Sequence, residues 1–330
     1  MINKSITIDY PFLLAPVGKD YLWGGDKLKK EFNKGYISCY PLAETWECST
    51  HVDGISTLRT GVYSGKGFDV FLKDNPNLLC NPKHQLVFPV LLKLIDAKEK
   101  LSLQVHPSDE YAYKYEFGQK GKLEFWYILD AEPGSYIYYG FKSSCNRSNI
   151  RKLIENGELE SVLNKVLVEK GDSFFIHPGM VHAIGKGIVL AEIQENSNLT
   201  YRLYDYNRKD KNGKLRDLHI EQALNVIDFS CTDRAIRRIK NIKYESGIRK
   251  ERLLHCEYFI ADVWGFEKVG SLPISNLMNY IVICIEGEGV VNDIKNHSVF
   301  KLKKGDCFFM PRSEKKFKLV GKCEIIVVGI

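Results

Sequence analysis

The stretch Gly171-Asp172-Ser173-Phe174-Phe175-Ile176-His177-Pro178 returns, from 171 to 305 and 134 residues on, as Gly305-Asp306-Cys307-Phe308-Phe309-Met310-Pro311. Each copy is a Gly-Asp turn, a short apolar run and a proline that cannot extend a hydrogen-bonded ladder. A repeat of this kind limits the chain to two copies of one strand-rich unit. Strand-like runs surround both copies: 121–129, 136–141 and 188–193 in the first, 258–263, 279–285, 289–292 and 324–328 in the second. Many short strands punctuated by Gly and Pro indicate a jelly roll or barrel. The expected fold is mainly β, with two jelly-roll β-barrel units and helical insertions in the first. The first unit is placed at 1–235, with a helical insert over about 67–88 and a helix over about 146–166. The smaller second unit is placed at 244–330.

The first unit carries polar groups on its strand faces. From Leu101 to His106 the chain alternates, so Leu101, Leu103 and Val105 are expected on one side and Ser102, Gln104 and His106 on the other. Pro107 ends that strand. By the same period Lys122, Glu124 and Trp126 share a side, as do Glu192 and Gln194, as do Thr200, Arg202 and Tyr204, and as do Glu44, Trp46 and Cys48. Val90–Ile95 reads as a buried strand.

His182 follows the Pro178-Gly179 turn, so His106, Glu124 and His182 put two imidazoles and a carboxylate on separate strands of one unit. Gln104 lies on the face of His106. Nitrogen and oxygen donors without thiolate suit zinc, iron or manganese, and three protein ligands leave a position open for water or substrate. One histidine alone is more often hydrogen-bonded structure, and one glutamate is usually solvated. The set carries the reading, because a polar face turned into a small barrel is costly to bury unless a metal or ligand satisfies it. In the second copy the position matching His182 is Lys316, and that matching Glu124 falls at about Asn279. That unit is expected to hold no metal.

Composition narrows the class. The chain has 330 residues, 44% hydrophobic and 27% charged, as in an ordinary globular protein. No apolar run approaches the ~18 residues of a membrane helix, and Met1–Pro16 lacks a basic segment and reads as a poor signal peptide. Nine cysteines, an odd number without a Cys-x-x-Cys pair, lie mostly in apolar runs and read as free thiols of a cytoplasmic protein. A net charge of +6 permits attraction of a small anion but falls short of a nucleic-acid-binding patch.

Gly171-Asp172 followed by Pro178-Gly179 and His182 resembles the second cupin motif. More specifically, Leu101-Ser102-Leu103-Gln104-Val105-His106-Pro107, Gly121-Lys122-Leu123-Glu124 with Trp126-Tyr127, His177-Pro178-Gly179-Met180-Val181-His182-Ala183 and Tyr201-Arg202-Leu203-Tyr204-Asp205-Tyr206 resemble the type I mannose-6-phosphate isomerases in their short bacterial form. Leu22-Trp23-Gly24-Gly25 and Glu44-Thr45-Trp46-Glu47-Cys48-Ser49 extend the match, which runs from about Pro16 to Asn207 and more weakly through the second unit. His177 stands where many cupins have proline, and is read as structural or as support for a ligand. Gln104-x-His106 is separated from Glu124 by an inserted loop, as in that isomerase family and unlike the usual cupin first motif.

The resemblance implies one zinc ion per chain held by His106, Glu124 and His182, with Gln104 as fourth ligand or near neighbour. It implies Arg202 as an active-site residue and puts Ser102, Lys122 and Glu192 in a sugar-phosphate pocket. The implied reaction is the aldose–ketose exchange of mannose 6-phosphate and fructose 6-phosphate. Arg202 suits charge stabilisation or phosphate contact, since it does not deprotonate. Glu192 is the leading base, with Lys122 or a metal-bound water as alternatives. The implied partner is a sugar phosphate, without nucleic acid or membrane, on a monomer or weak dimer. Two other classes remain open on the residues alone: an iron-dependent oxygenase, and a non-catalytic sugar sensor, which would be expected to have lost its ligands in both units.

Overall fold

The computed structural model describes residues 8–79, 88–210, 212–230, 242–245, 248–272, 275–293 and 299–330. Its strands form three antiparallel sheets stacked in layers. The middle sheet has six strands in the order Ser173–Ile176, Glu124–Ala131, Ile188–Glu195, Val90–Ala97, Glu44–Cys48 and Val17–Lys19. Both its faces are covered, and alternation decides which core each residue enters. Phe125, Tyr127, Leu129, Val189, Ala191 and Ile193 face one layer, whereas Trp126, Ile128, Ile95 and Leu190 face the other.

On that second side lies a five-stranded sheet: Tyr201–Tyr204, Leu103–Val105, His182–Ile184, Tyr136–Phe141 and Leu163–Leu167. The two sheets enclose a barrel whose interior they share through Trp126, Ile128, Leu190, Ile137, Tyr139 and Ile184. The outer face of the five-stranded sheet, with Leu103, Val105 and Leu203, is sealed by the helices Arg147–Glu155 and Ile220–Val226 through Ile150, Ile154, Ala223 and Leu224. Each such apolar side chain contributes roughly 1.5–3 kcal/mol on burial, so the barrel is held between two dry cores and its centre is free to carry polar groups.

The third sheet has ten strands, in the path Ile242–Glu245, Ile248–His255, Ile260–Phe266, Phe317–Gly329, Tyr280–Asp293, Cys307–Met310, Phe12–Ala15 and Thr57–Leu58, with Val269–Ser271 and Val299–Lys303 off that path. Phe12 pairs with Phe309 and Leu13 with Phe308. A strand from the first unit thus completes the sheet of the second, across the division read from the sequence at 235–244. Residues 231–241 lie outside the described residues.

The sequence repeat is also a structural repeat. Gly171 and Gly305 take φ of +91° and +90°, left-handed values that favour glycine. Asp172 and Asp306 each accept a 2.9 Å bond from the backbone N–H three residues before. The glycine N–H groups donate at 2.8 Å to Ile128 and Cys284, which identifies Glu124–Ala131 with the start of Tyr280–Asp293. The ladders then show what replaced each polar group. Ile176 faces Glu124 and Met310 faces Tyr280, so Tyr280, one residue beyond the expected Asn279, takes the place of Glu124. Glu192 faces Trp126 and Val327 faces Val282, so Val327 takes the place of Glu192. The interior of the second unit is a hydrophobic core of Tyr280, Val282, Val327, Phe308 and Met310.

Several expectations need correction. The helix expected over 146–166 stops at Glu155, before Asn156-Gly157; a 3-10 turn follows at Leu159–Val162, and Leu163–Leu167 is an edge strand on Tyr136–Phe141. The apolar spacing there was too irregular to separate a helix from a strand. The 67–88 insert is helical over Phe68–Asp74 and Pro76–Leu79, and 80–87 lie outside the described residues. Leu101 precedes the strand and turns into the barrel, away from Leu103 and Val105. Register shifts after Trp46 and after Arg202 carry Cys48 and Tyr204 to the opposite sides from those residues. No helix among the described residues is long and apolar enough to cross a membrane.

Candidate active site

Sheet register assembles the site. On the five-stranded sheet His182, Gln104 and Arg202 lie side by side on neighbouring strands. On the middle sheet Trp46, Lys93, Glu192 and Trp126 form a second row. Gln104, Arg202, Lys93 and Glu192 line one cavity of about 210 Å³, together with Ser102 and Lys122. Every residue singled out as catalytic or substrate-binding therefore reaches the same space.

Behind Gln104 and Lys122 of its wall, His106, Glu124 and His182 are fully buried and offer ligand atoms within 4.8 Å of one another. His106 Nε2 is 3.1 Å from Glu124 Oε1, and His182 Nε2 is 3.6 Å from Glu124 Oε2. The other ring nitrogens are fixed by backbone carbonyls: His106 Nδ1 lies 3.0 Å from Leu199 O and His182 Nδ1 2.9 Å from Met180 O. As N–H donors there, both rings turn the lone pair of Nε2 toward Glu124, the arrangement that second contacts give a metal-binding histidine. Gln104 Nε2 is 3.3 Å from His182 Nε2; rotating the amide would present Oε1 instead.

His106 Nε2 and both Glu124 oxygens accept or donate no hydrogen bond, although Lys122 Nζ is 2.7 Å from Oε1. Buried polar atoms are almost always bonded, so His106 Nε2 and Glu124 Oε2, left unbonded beside the ion pair of Lys122 with Glu124 Oε1, mark a place for a further partner. Two imidazole nitrogens and a carboxylate fit a divalent cation. Burial, then the charge of Lys122, pushes the His106 imidazole down to about 3, and burial lowers His182 as well. Both rings stay neutral at physiological pH and available as ligands. Burial alone would raise the Glu124 carboxyl, but the ammonium of Lys122 outweighs it and holds it well below the usual range.

Beside this cluster the charges of Lys93, Glu192 and Glu44 are buried and paired. Lys93, 3% exposed, lies 3.0 Å from Glu192 Oε1 and 3.8 Å from Glu44 Oε2. Trp126 Nε1 donates to Glu192 Oε2 at 2.9 Å and Trp46 Nε1 to Glu44 Oε2 at 2.7 Å. Burial and the neighbouring Glu124 raise the Glu192 carboxyl, and burial of Lys93 is more than offset by Glu192 and Glu44, which keep it protonated. Sequence reading missed Lys93. The signal was there: a lysine inside Val90-Leu91-Leu92-Lys93-Leu94-Ile95 has no reason to exist on a strand buried on both faces unless it meets a carboxylate. Arg216, also on the cavity wall, follows the strand region in a loop and had no periodic signal. His177 stays outside the cluster, its ring edge-on to Phe175 at 4.2 Å.

A jelly-roll barrel with this donor set at its centre defines a metal-binding cupin. Comparisons with known proteins sharpen that class. Residues 12–134 match the catalytic domain of type I phosphomannose isomerase, and residues 249–330 match the mannose-6-phosphate isomerase cupin domain. Mannose-6-phosphate isomerase ManA of Bacillus subtilis is 37% identical over 320 residues, covering 96% of this chain and 98% of the relative. Mannose-6-phosphate isomerase of Streptococcus mutans is 35% identical over 318 residues, 96% and 97% of the two chains. The crystal structure of the B. subtilis mannose 6-phosphate isomerase superposes with a TM-score of 0.89 at 32% identity, over 97% of this chain and 99% of that one. A putative mannosephosphate isomerase from Archaeoglobus fulgidus shares the fold, with a TM-score of 0.75 at 21% identity. The chain belongs to the type I mannose-6-phosphate isomerase family.

Proposed function

We propose that the protein interconverts D-mannose 6-phosphate and D-fructose 6-phosphate, with a zinc ion held by His106, Glu124 and His182 and with Gln104 as fourth ligand or close neighbour. The observation that carries this reading is the buried cluster of ligand atoms of His106, Glu124 and His182, held just behind Gln104 and Lys122 of a cavity that Glu192 and Arg202 also line. When bound, zinc would act as a Lewis acid on the sugar carbonyl and hydroxyl and lower the cost of enediolate charge.

The protein's own groups divide the remaining work. Glu192 takes the C2 proton of the aldose and returns it to C1 while the O2 hydroxyl proton passes to O1; its raised proton affinity suits a base that must hold the carbon-bound proton briefly. Lys93 and Trp126 fix the carboxylate from two sides, so it is oriented before substrate enters. Lys122, against Glu124, supplies an ammonium to the sugar oxygens, and Ser102 offers its hydroxyl from the wall of the same cavity. Arg202 stabilises negative charge further along the row. Cationic Lys93, Lys122, Arg202 and Arg216 favour an anionic sugar over the substrate of an oxygenase. The test is turnover of mannose 6-phosphate by metal-stripped protein in a coupled assay. Activity should be absent after chelation and return with zinc. Protein that has metal bound and still turns over no mannose 6-phosphate would refute the reading.

A further inference from the structure

Lys122 is a buried lysine on the loop 116–123, which joins the helix Asp109–Tyr115 to the strand Glu124–Ala131. The last three N–H groups of that loop are each held by a different partner. Gly121 donates to Asp109 Oδ1 at 2.7 Å, Lys122 to the Pro107 carbonyl at 3.1 Å and Leu123 to Glu195 Oε2 at 2.9 Å. Gly121 lies so close to the start of the helix that a Cβ there would meet Asp109 N at 2.3 Å and the Ser108 carbonyl carbon at 2.4 Å. Loops ordinarily run over the surface and leave such groups to water. Here two carboxyl groups and a carbonyl fix the backbone on both sides of one lysine, whose Nζ then stands 2.7 Å from Glu124 Oε1. Asp109 opens the helix that follows His106, and buried Glu195 closes the strand that carries Glu192. The clamp therefore ties the Lys122 loop to the segments of a metal ligand and of the base.

The other oxygen of Asp109 is taken by the second unit. Tyr258, in the turn between Ile248–His255 and Ile260–Phe266, donates its hydroxyl to Asp109 Oδ2 at 3.1 Å and stands against the Glu195 carboxyl as well. Burial, then the charges of Glu195 and Asp109, raise the Tyr258 hydroxyl above its usual value, so it keeps its proton and acts as the donor. Lys120, mostly exposed, lies 3.5 Å from the same Asp109 oxygen, a screened contact that holds it less firmly. We propose that Tyr258 is a positioning residue of the active site supplied by the second unit, holding Asp109 and Glu195 against the loop that sets Lys122. The second unit has an apolar interior of its own, and it serves the first by closing this clamp rather than by meeting substrate. This rests on the reading of Lys122 as a contact to the sugar.

The test uses the full, zinc-loaded chain and two readouts. One is hydrogen–deuterium exchange of the 121–123 amides, which reads the clamp without any turnover. The other is steady-state kinetics on mannose 6-phosphate. Tyr258→Phe removes only the hydroxyl. It should speed exchange at 121–123 about two- to ten-fold, the size of one lost hydrogen bond, and leave exchange in the strand Tyr136–Phe141 unchanged. KM for mannose 6-phosphate should rise by a similar factor at unchanged zinc content, with a smaller fall in kcat per bound zinc. A merely structural loss would lower the active fraction and leave KM alone. Asp109→Ala should exceed this, about ten-fold or more in both readouts, whereas Asp109→Asn, which keeps an acceptor for Gly121, should stay near wild type. If Tyr258→Phe does not fold, the contrast between Asp109→Ala and Asp109→Asn reads the same clamp. Folded, zinc-loaded Tyr258→Phe with wild-type exchange at 121–123 overturns the proposal, and so does faster exchange with an unchanged KM. If the wild type turns over no mannose 6-phosphate, the isomerase reading fails by itself, and exchange at 121–123 alone decides whether Tyr258 holds the loop.

Discussion

Lys93→Met is the substitution that most directly probes how the site is held. It keeps the volume and removes one buried ammonium, which lies 3.0 Å from Glu192 and 3.8 Å from Glu44. At an effective dielectric near 20, a pair at that shorter distance is worth about 5 kcal/mol before desolvation. Removing one partner of a buried pair costs about 3–5 kcal/mol, because the other charge is left stranded. The loss depends on pH. Burial and Glu124 already raise the Glu192 carboxyl, and without Lys93 it rises further. A carboxyl with a folded-state pKa above its unfolded value is a liability at high pH, relieved as pH falls toward the unfolded value. The variant should therefore be about 3–5 kcal/mol less stable than wild type at pH 8 and much closer to it at pH 5. Urea unfolding of metal-free protein at the two pH values measures this. Adding Glu192→Gln to Lys93→Met should restore at least half of the loss at pH 8. An equal loss at both pH values with no recovery in the double variant would refute the charge argument and leave only packing.

Two further outcomes concern stability elsewhere. Burial, then Asp109, pushes the Glu195 carboxyl up to about 7, while its Oε2 accepts a bond from Leu123 N–H. Wild-type stability from this group falls as pH rises from about 4.5 through 7. Glu195→Gln, which keeps an acceptor, should gain up to about 3 kcal/mol over wild type at pH 8 and nothing at pH 4.5, as read from urea midpoints. Gly171→Ala and Gly305→Ala impose the same left-handed strain, about 1–2 kcal/mol. A Cβ at 305 would also meet Phe32 O at 1.9 Å, while at 171 the nearest atom is Tyr127 Oη at 4.0 Å. Thermal melts should show the 305 variant clearly the weaker; equal losses would contradict the packing described at that turn.

Much of the fold and of the candidate site could be read because both rest on period two. Glu124 and Trp126 stand on one strand, and His106 one residue past the end of the strand that carries Gln104, and in both pairs the alternation survives into the barrel. The repeated Gly-Asp turn announced two units because the same backbone conformation demands the same residues in both. What escaped has physical causes. Lys93 is hidden in an apolar run, and its carboxylate partners come from strands separated from it in sequence. Cys48 and Tyr204 sit beyond bulges, where alternation resets by one. Arg216 owes its position to Asp205, a contact between two loops. The pairing of Phe12–Ala15 with Cys307–Met310 is too distant for any local signal.

That last pairing has a consequence for how the molecule is made. On a ribosome adding roughly 5–20 residues per second, the strand that closes against Phe12 and Leu14 is synthesised roughly 15 to 60 s after them. Through that interval an apolar strand waits with its partner edge bare, the condition in which nascent chains stick to one another. Pro11 and Pro16 flank it, and each lacks the N–H that a stray partner would need to lengthen a mispaired ladder. The strands around His106, Glu124 and His182 can find each other early, but the sheet behind them is finished only once Phe317–Gly329 has been made. A chain arrested between residues 195 and 306 would carry His106, Glu124 and His182 and still lack Cys307–Met310 and Phe317–Gly329, two inner strands of the third sheet.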